Sequence, residues 1–242
     1  MEVRMRAYKL ADIEKKFKST LVDSYGKRWV ASEGEFHNVI RLKTNDSSNF
    51  FYGENVKKTK IFQHLTHGVL PGDIGTLSQP GVHVSTAFVV ARDGTIYQLF
   101  PSSCWSYHLG SNTSAPNSIW SPRSIAIEAS CIGPLSESSA DPDVLIDSYG
   151  KPYCSKSDTE FYKQLSYRGY SYYATLTDAQ YESINYLTKE LCNKHGIPLS
   201  KINEEKAFDY FQKIPSATYL FHSNVRKDKV DCSPVFEINR IG

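Results

Sequence analysis

The sequence predicts an α/β fold, and three observations carry that expectation. Short apolar or β-branched runs recur at 61–65, 84–91, 95–100, 124–129 and 218–221. An Arg92-Asp93-Gly94 turn of the hairpin type separates two of them. One amphipathic helix opens at Thr177, where Thr177-Asp178-Ala179-Gln180 is a capping box. The chain has 242 residues, enough to bury a sizeable core.

Taken in order, Ile13, Phe17 and Leu21 fall four apart and predict a short helix over 11–21. Residues 38–42 suit a short strand, and 44–55 are polar and turn-rich. Residues 1–54 are therefore read as an N-terminal extension of open role, ahead of a main domain over 55–242. The stretch 60–68 reads as a buried strand that ends in two histidines, His64 and His67, before the break at Pro71-Gly72. The stretch 124–129 is a strand in which Glu128 interrupts a buried-looking apolar run. Residues 132–173 are polar and Tyr-rich, and read as a surface insertion or a pair of hairpins with order of its own. In the helix after Thr177, Tyr181, Ile184, Leu187 and Leu191 form one stripe, and Gly196 with Pro198 ends it.

Composition excludes little but points consistently. A net charge of +2 demands no nucleic-acid partner. No run is long and apolar enough for a membrane span or a signal peptide, so synthesis in the cytoplasm is expected. Five scattered cysteines without a CxxC argue against a disulfide framework. Sixteen tyrosines could stack on sugar faces or fill a β-rich core.

The chemistry concentrates in three places: His64, Glu128, and the closing stretch with His222, Lys229 and Asp231. Two histidines and a carboxylate suffice to hold a catalytic zinc with one open position. Glu128 would then be free to act as a base and Lys229 to stabilise an oxyanion. Each residue also has a plainer reading. A histidine at a strand end can be a hydrogen-bonded rim residue, Glu128 can pair with a buried cation, and Lys229 can be a solvated surface lysine.

Five blocks in order resemble the zinc-dependent N-acetylmuramoyl-L-alanine amidase family, which is related to the peptidoglycan recognition proteins. They are Ile61-Phe-Gln-His64-Leu-Thr66-His67-Gly68, the hairpin from Ser85 to Gln98, Trp105 to Gly110, Ser124-Ile-Ala-Ile-Glu128, and His222 to Pro234. The resemblance implies a central mixed sheet flanked by helices, with zinc at one edge. It implies His64, His222 and Asp231 as zinc ligands, Glu128 as general base and Lys229 as oxyanion stabiliser. It places Thr86, Trp105 and His108 at the substrate. His67 rivals His64 and Cys232 rivals Asp231 as ligands, and the positions of Thr66 and Lys229 favour His64 and Asp231.

The chain departs from the family pattern where some members carry a catalytic tyrosine, at Thr86, and at Ala87. Cys232-Ser233 replaces the usual Pro-Gly. The activity implied is cleavage of the amide between N-acetylmuramic acid and L-alanine in peptidoglycan, in an endolysin-like setting after release or export. A non-catalytic peptidoglycan-binding protein and a zinc peptidase acting on stem peptides would use the same fold.

Overall fold

A computed structural model describes residues 5–21, 29–44 and 49–242. After a 3-10 turn, α1 (Leu10–Thr20) leads to β1 (Trp29–Glu33), β2 (Val39–Thr44) and β3 (Lys60–Leu65). Then come α2 (Leu70–Leu77), β4 (Phe88–Val90), β5 (Ile96–Gln98), α3 (Asn117–Arg123) and β6 (Ser124–Ala129). Five short strands follow: β7 (Pro134–Glu137), β8 (Val144–Ile146), β9 (Pro152–Ser155), β10 (Tyr162–Tyr167) and β11 (Tyr170–Ala174). The chain closes with α4 (Asp178–His195), β12 (Tyr219–Phe221) and α5 (His222–Val225).

A seven-stranded mixed sheet in the order β1-β2-β5-β4-β6-β3-β12 forms the centre. Strands β4, β6, β3 and β12, the last at the sheet's edge, run parallel. Alternation along these strands sends side chains to two layers. Ile61, Leu65, Tyr219 and Phe221 join the large core that contains Tyr181, Ile184, Leu187 and Leu191 of α4. Phe62 and Leu220 point the other way, into a small cluster with Leu109, Ala115 and Val225, on which Trp120 of α3 packs. Parallel strands covered on both faces are buried along their length, as β3 and β12 are.

Helix α4 begins as its sequence dictates. The Thr177 side chain accepts from the Gln180 amide, and the Gln180 side chain accepts from the Thr177 amide. It ends at Gly196, whose φ of 63° is the left-handed turn that glycine adopts at least cost.

Two regions carry more structure than their sequence announces. Residues 132–173 form a second, five-stranded antiparallel sheet in the order β10-β11-β7-β8-β9. Of the roles left open for residues 1–54, packing on the domain is what its described residues do. β2 pairs in parallel with β5, so 39–44 belong to the central sheet. Phe17 of α1 sits edge-on to Trp29 and Tyr97, at 5.7 and 5.8 Å between ring centres. Arg6 bridges to Asp147 of the second sheet at 2.5 Å. The polar, turn-rich stretch expected over 44–55 lies partly outside the described residues, which omit 45–48.

The strand expected over 84–91 narrows to Phe88–Val90. The residues before it leave the sheet to run beside Tyr107: the Tyr107 amide donates to His83 and the Ser85 amide donates to Tyr107. All five cysteines are buried and free.

Candidate metal centre and active site

Strand register assembles the site. Phe221 lies opposite Gln63, and His64 lies opposite Glu128. The residue after Phe221 is His222, so His222, His64 and Glu128 stand side by side where β12, β3 and β6 end. Crevices at the carboxyl ends of parallel strands are where open α/β sheets place ligands. Asp231 arrives from the loop that follows α5.

His64 Nδ1 and His222 Nδ1 are 3.1 Å apart. Asp231 Oδ2 is 3.0 Å from the His222 nitrogen and 3.5 Å from the His64 nitrogen. Three atoms able to donate lone pairs thus converge on one point in a buried place. Bonds of about 2.1 Å to a tetrahedral ion would space its ligands by about 3.4 Å, which matches this triangle. The donor set of two imidazoles and one carboxylate suits zinc or a similar divalent ion. No other group of three such residues converges among the described residues.

The outer nitrogens are also engaged. His222 Nε2 lies 3.2 Å from the Leu109 carbonyl, and His64 Nε2 lies 3.2 Å from His108 Nδ1. His108 Nε2 is 2.7 Å from Ser124 Oγ, whose hydroxyl donates to the Trp120 carbonyl at 2.7 Å.

Burial governs the charges. It lowers His64 to about 4, with His222 acting in the same direction and Asp231 against it. Burial also drives His108 well below the usual histidine range, helped by His64 and His222. For Asp231 burial acts upward, but His222 and His64 outweigh it and hold the carboxyl well below its usual value. Glu128 goes the other way. Burial first, then Asp231 and Asp73, raise it well above a normal carboxylic acid, and Lys229 only partly offsets them. Its Oε2 is buried with no hydrogen-bond partner among the described residues.

A cavity of about 350 Å³ opens over these groups. His64, Thr86, His108, Glu128, Lys229 and Asp231 line it, as does His222. Of the residues expected at the site, Trp105 is the one the structure does not bring to the cavity wall. It bridges and stacks on Tyr52, with ring centres 4.0 Å apart, while Tyr107 lines the cavity instead. His108 lines the cavity but spends both ring nitrogens on protein partners.

The rivals for the ligand roles do not join the converging atoms, although His67 lines the same cavity. Cys232 takes a left-handed φ of 55° and directs its thiol to the Gln63 carbonyl at 3.2 Å. His67, also at positive φ, sits against Gly133. Residues that sequence reasoning missed include Tyr107, Ser85 and Asp228 on the cavity wall, and Leu109 and Ser124 behind the histidines. A polar residue opening an otherwise apolar run up to Glu128 was the available signal for Ser124.

One solved structure shares the fold. An AmpD derivative is 16% identical, with a TM-score of 0.50, over 87% of this chain and 96% of its own. E. coli AmiD, solved in complex with anhydro-N-acetylmuramic acid-L-Ala-D-gamma-Glu-L-Lys, is 16% identical with a TM-score of 0.49, over 87% of this chain. This chain spans only 63% of the AmiD chain. The amidase LysC from Clostridium intestinale is 15% identical with a TM-score of 0.44, over 83% of this chain and 92% of its own. No curated protein matches the sequence. The family profile described as N-acetylmuramoyl-L-alanine amidase matches residues 40–232, and on that match the chain belongs to the N-acetylmuramoyl-L-alanine amidase family.

Proposed function

We propose that this chain is a zinc hydrolase that cleaves the amide between N-acetylmuramic acid and L-alanine in peptidoglycan or muropeptides. The observation that carries the reading is the convergence of His64 Nδ1, His222 Nδ1 and Asp231 Oδ2 beside an unpartnered, buried Glu128 Oε2. A pure binding protein needs no buried carboxylate held ready without a partner, and leaving one so is costly.

His64, His222 and Asp231 would hold the ion. When bound, zinc supplies Lewis acidity, which polarises an amide carbonyl and acidifies water. The remaining work falls to the chain. Glu128 Oε2 accepts a proton from the attacking water and passes it to the departing amide nitrogen. Lys229 places its ammonium at the cavity wall, where it stabilises negative charge building on the carbonyl oxygen. Thr86, where some members of the family carry a tyrosine, contributes only a hydroxyl at the wall, so proton transfer rests on Glu128.

The test is a digest of purified peptidoglycan by zinc-loaded protein, with a chelator-treated control and products identified by mass spectrometry. Stem peptides beginning in free L-Ala, lost on chelation, are the expected products. Shortened peptides still attached to glycan would make the protein a peptidase. Retention of the polymer without products would make it a binding protein.

A further inference from the structure

We infer that His108 is a positioning residue that, together with Ser124, fixes which nitrogen of His64 is free to bind the metal. The inference rests on the zinc site proposed above.

The Trp120 carbonyl can accept but never donate, so the Ser124 hydroxyl proton points at it. Ser124 Oγ is then left to accept, and His108 Nε2 must carry the hydrogen that it receives. An uncharged His108 with hydrogen on Nε2 has its lone pair on Nδ1. That lone pair faces His64 Nε2, which therefore donates to it. An uncharged His64 with hydrogen on Nε2 presents its lone pair on Nδ1, the nitrogen that meets His222 and Asp231. Each step follows from the one before, across about four residues of contact.

The next residue along the chain does the same for the other histidine. The Leu109 carbonyl only accepts, so His222 Nε2 carries a hydrogen. Side chain 108 and main chain 109 thus orient both imidazoles from one short loop. His108 is also packed against Phe62, with ring centres 5.5 Å apart, so its ring cannot turn away without opening the small core. A residue with both nitrogens committed in this way has none left to hold substrate. The geometry therefore moves His108 from the substrate to the support of the metal ligands.

Groups behind metal-binding histidines commonly contribute 10–100-fold in metal affinity. The experiment measures zinc affinity by competition with a chelating fluorophore for the wild-type protein and for His108→Phe, His108→Gln and Ser124→Ala. Phenylalanine keeps the ring against Phe62 but offers no acceptor. Glutamine packs less well but offers one. Positioning predicts that His108→Phe binds zinc about 10–100-fold more weakly and that His108→Gln recovers much of the loss. It also predicts a measurable loss in Ser124→Ala, although Ser124 touches no ligand. Melting of the metal-free proteins is followed in parallel, and His108→Phe should melt at or above His108→Gln. Unchanged zinc affinity in His108→Phe would overturn the inference. So would a glutamine variant as weak as phenylalanine together with an unaffected Ser124→Ala. Failure of the wild-type protein itself to bind zinc would instead remove the zinc site, and the inference with it.

Discussion

Arg168, at the tip of the β10–β11 hairpin, donates to the backbone carbonyl of Lys229. The same guanidinium reaches the carbonyls of Arg226 at 2.7 Å and Ser223 at 3.0 Å. The second sheet therefore holds the loop that delivers Lys229 and Asp231 to the cavity. Hydrogen bonds from a charged donor are worth about 1.5–3 kcal/mol when desolvated, less at this half-buried position. Arg168→Ala is expected to lower activity about tenfold and stability by about 2 kcal/mol. Steady-state kinetics and thermal melting check both, and a variant indistinguishable from wild type would leave the second sheet without influence on the site.

Glu128 and Asp231 should separate cleanly on substitution. Glu128→Gln is expected to keep zinc while losing roughly 10²–10⁴ in rate, the usual worth of a general base. Asp231→Ala is expected to lose zinc as well. Metal analysis of the purified variants beside their activities decides the matter, and loss of zinc in Glu128→Gln would make that residue a ligand.

Removing the metal should also cost stability. Without a cation, Asp231 and two imidazole nitrogens crowd one point. An ion that binds only the folded chain adds RT ln(1 + [L]/Kd) to stability, about 2.7 kcal/mol at one hundred times Kd. Calorimetry with and without chelator should show a higher melting temperature for the zinc-loaded protein.

Glu14 of α1 is buried and accepts a hydrogen bond from the Arg92 amide at 2.8 Å. Burial raises its carboxyl to about 7 from an ordinary 4.5, against the pull of Arg92. The folded chain thus holds this proton more tightly than the unfolded chain. Stability then falls as pH rises from about 4.5 to about 7, by about 3 kcal/mol in all. Glu14→Gln keeps an acceptor for Arg92 and cannot ionise. It should gain stability relative to wild type at pH 8 and little at pH 4, as denaturant titrations at the two values would reveal.

Gly133 has a φ of 79°, and a Cβ placed there would lie 2.3 Å from His67 Cδ2. Gly133→Ala meets both a disfavoured backbone conformation and an overlap with a buried ring. A loss of about 2 kcal/mol is expected, seen as a lower melting temperature. An unchanged melting temperature would mean that His67 moves aside freely.

Much of this was legible in the sequence because it is local. The Thr177–Gln180 box and Gly196 mark the two ends of α4, each through contacts within a few residues of itself. His64 and Glu128 stood out because each breaks an apolar run whose burial would otherwise be unexplained. What the sequence hid is long-range. β2 has an ordinary strand pattern, but its partner β5 begins at Ile96, and nothing near Val39 names that partner. The strands of the second sheet are short and partly solvent-facing, as in the mixed burial of β10, so their alternation is weak. Trp105 was misplaced because a motif fixes order along the chain and not which way a ring turns. Here the ring is claimed by Tyr52, from a segment the motif does not include.

The alignment of His64 and Glu128 on neighbouring strands, with His222 one residue beyond β12, has a consequence for how such a centre can vary. The sheet acts as a ruler: adjacent strands lie about 4.8 Å apart, and that interval separates ligand from ligand and ligand from base. No side-chain substitution changes it. A slip of one residue in any of the three strands would carry one member of the row through to the opposite layer, among the side chains of α4. The spacing of His222, His64 and Glu128 is therefore inherited from main-chain pairing, whereas Asp231 and Lys229 depend on the loop that Arg168 holds.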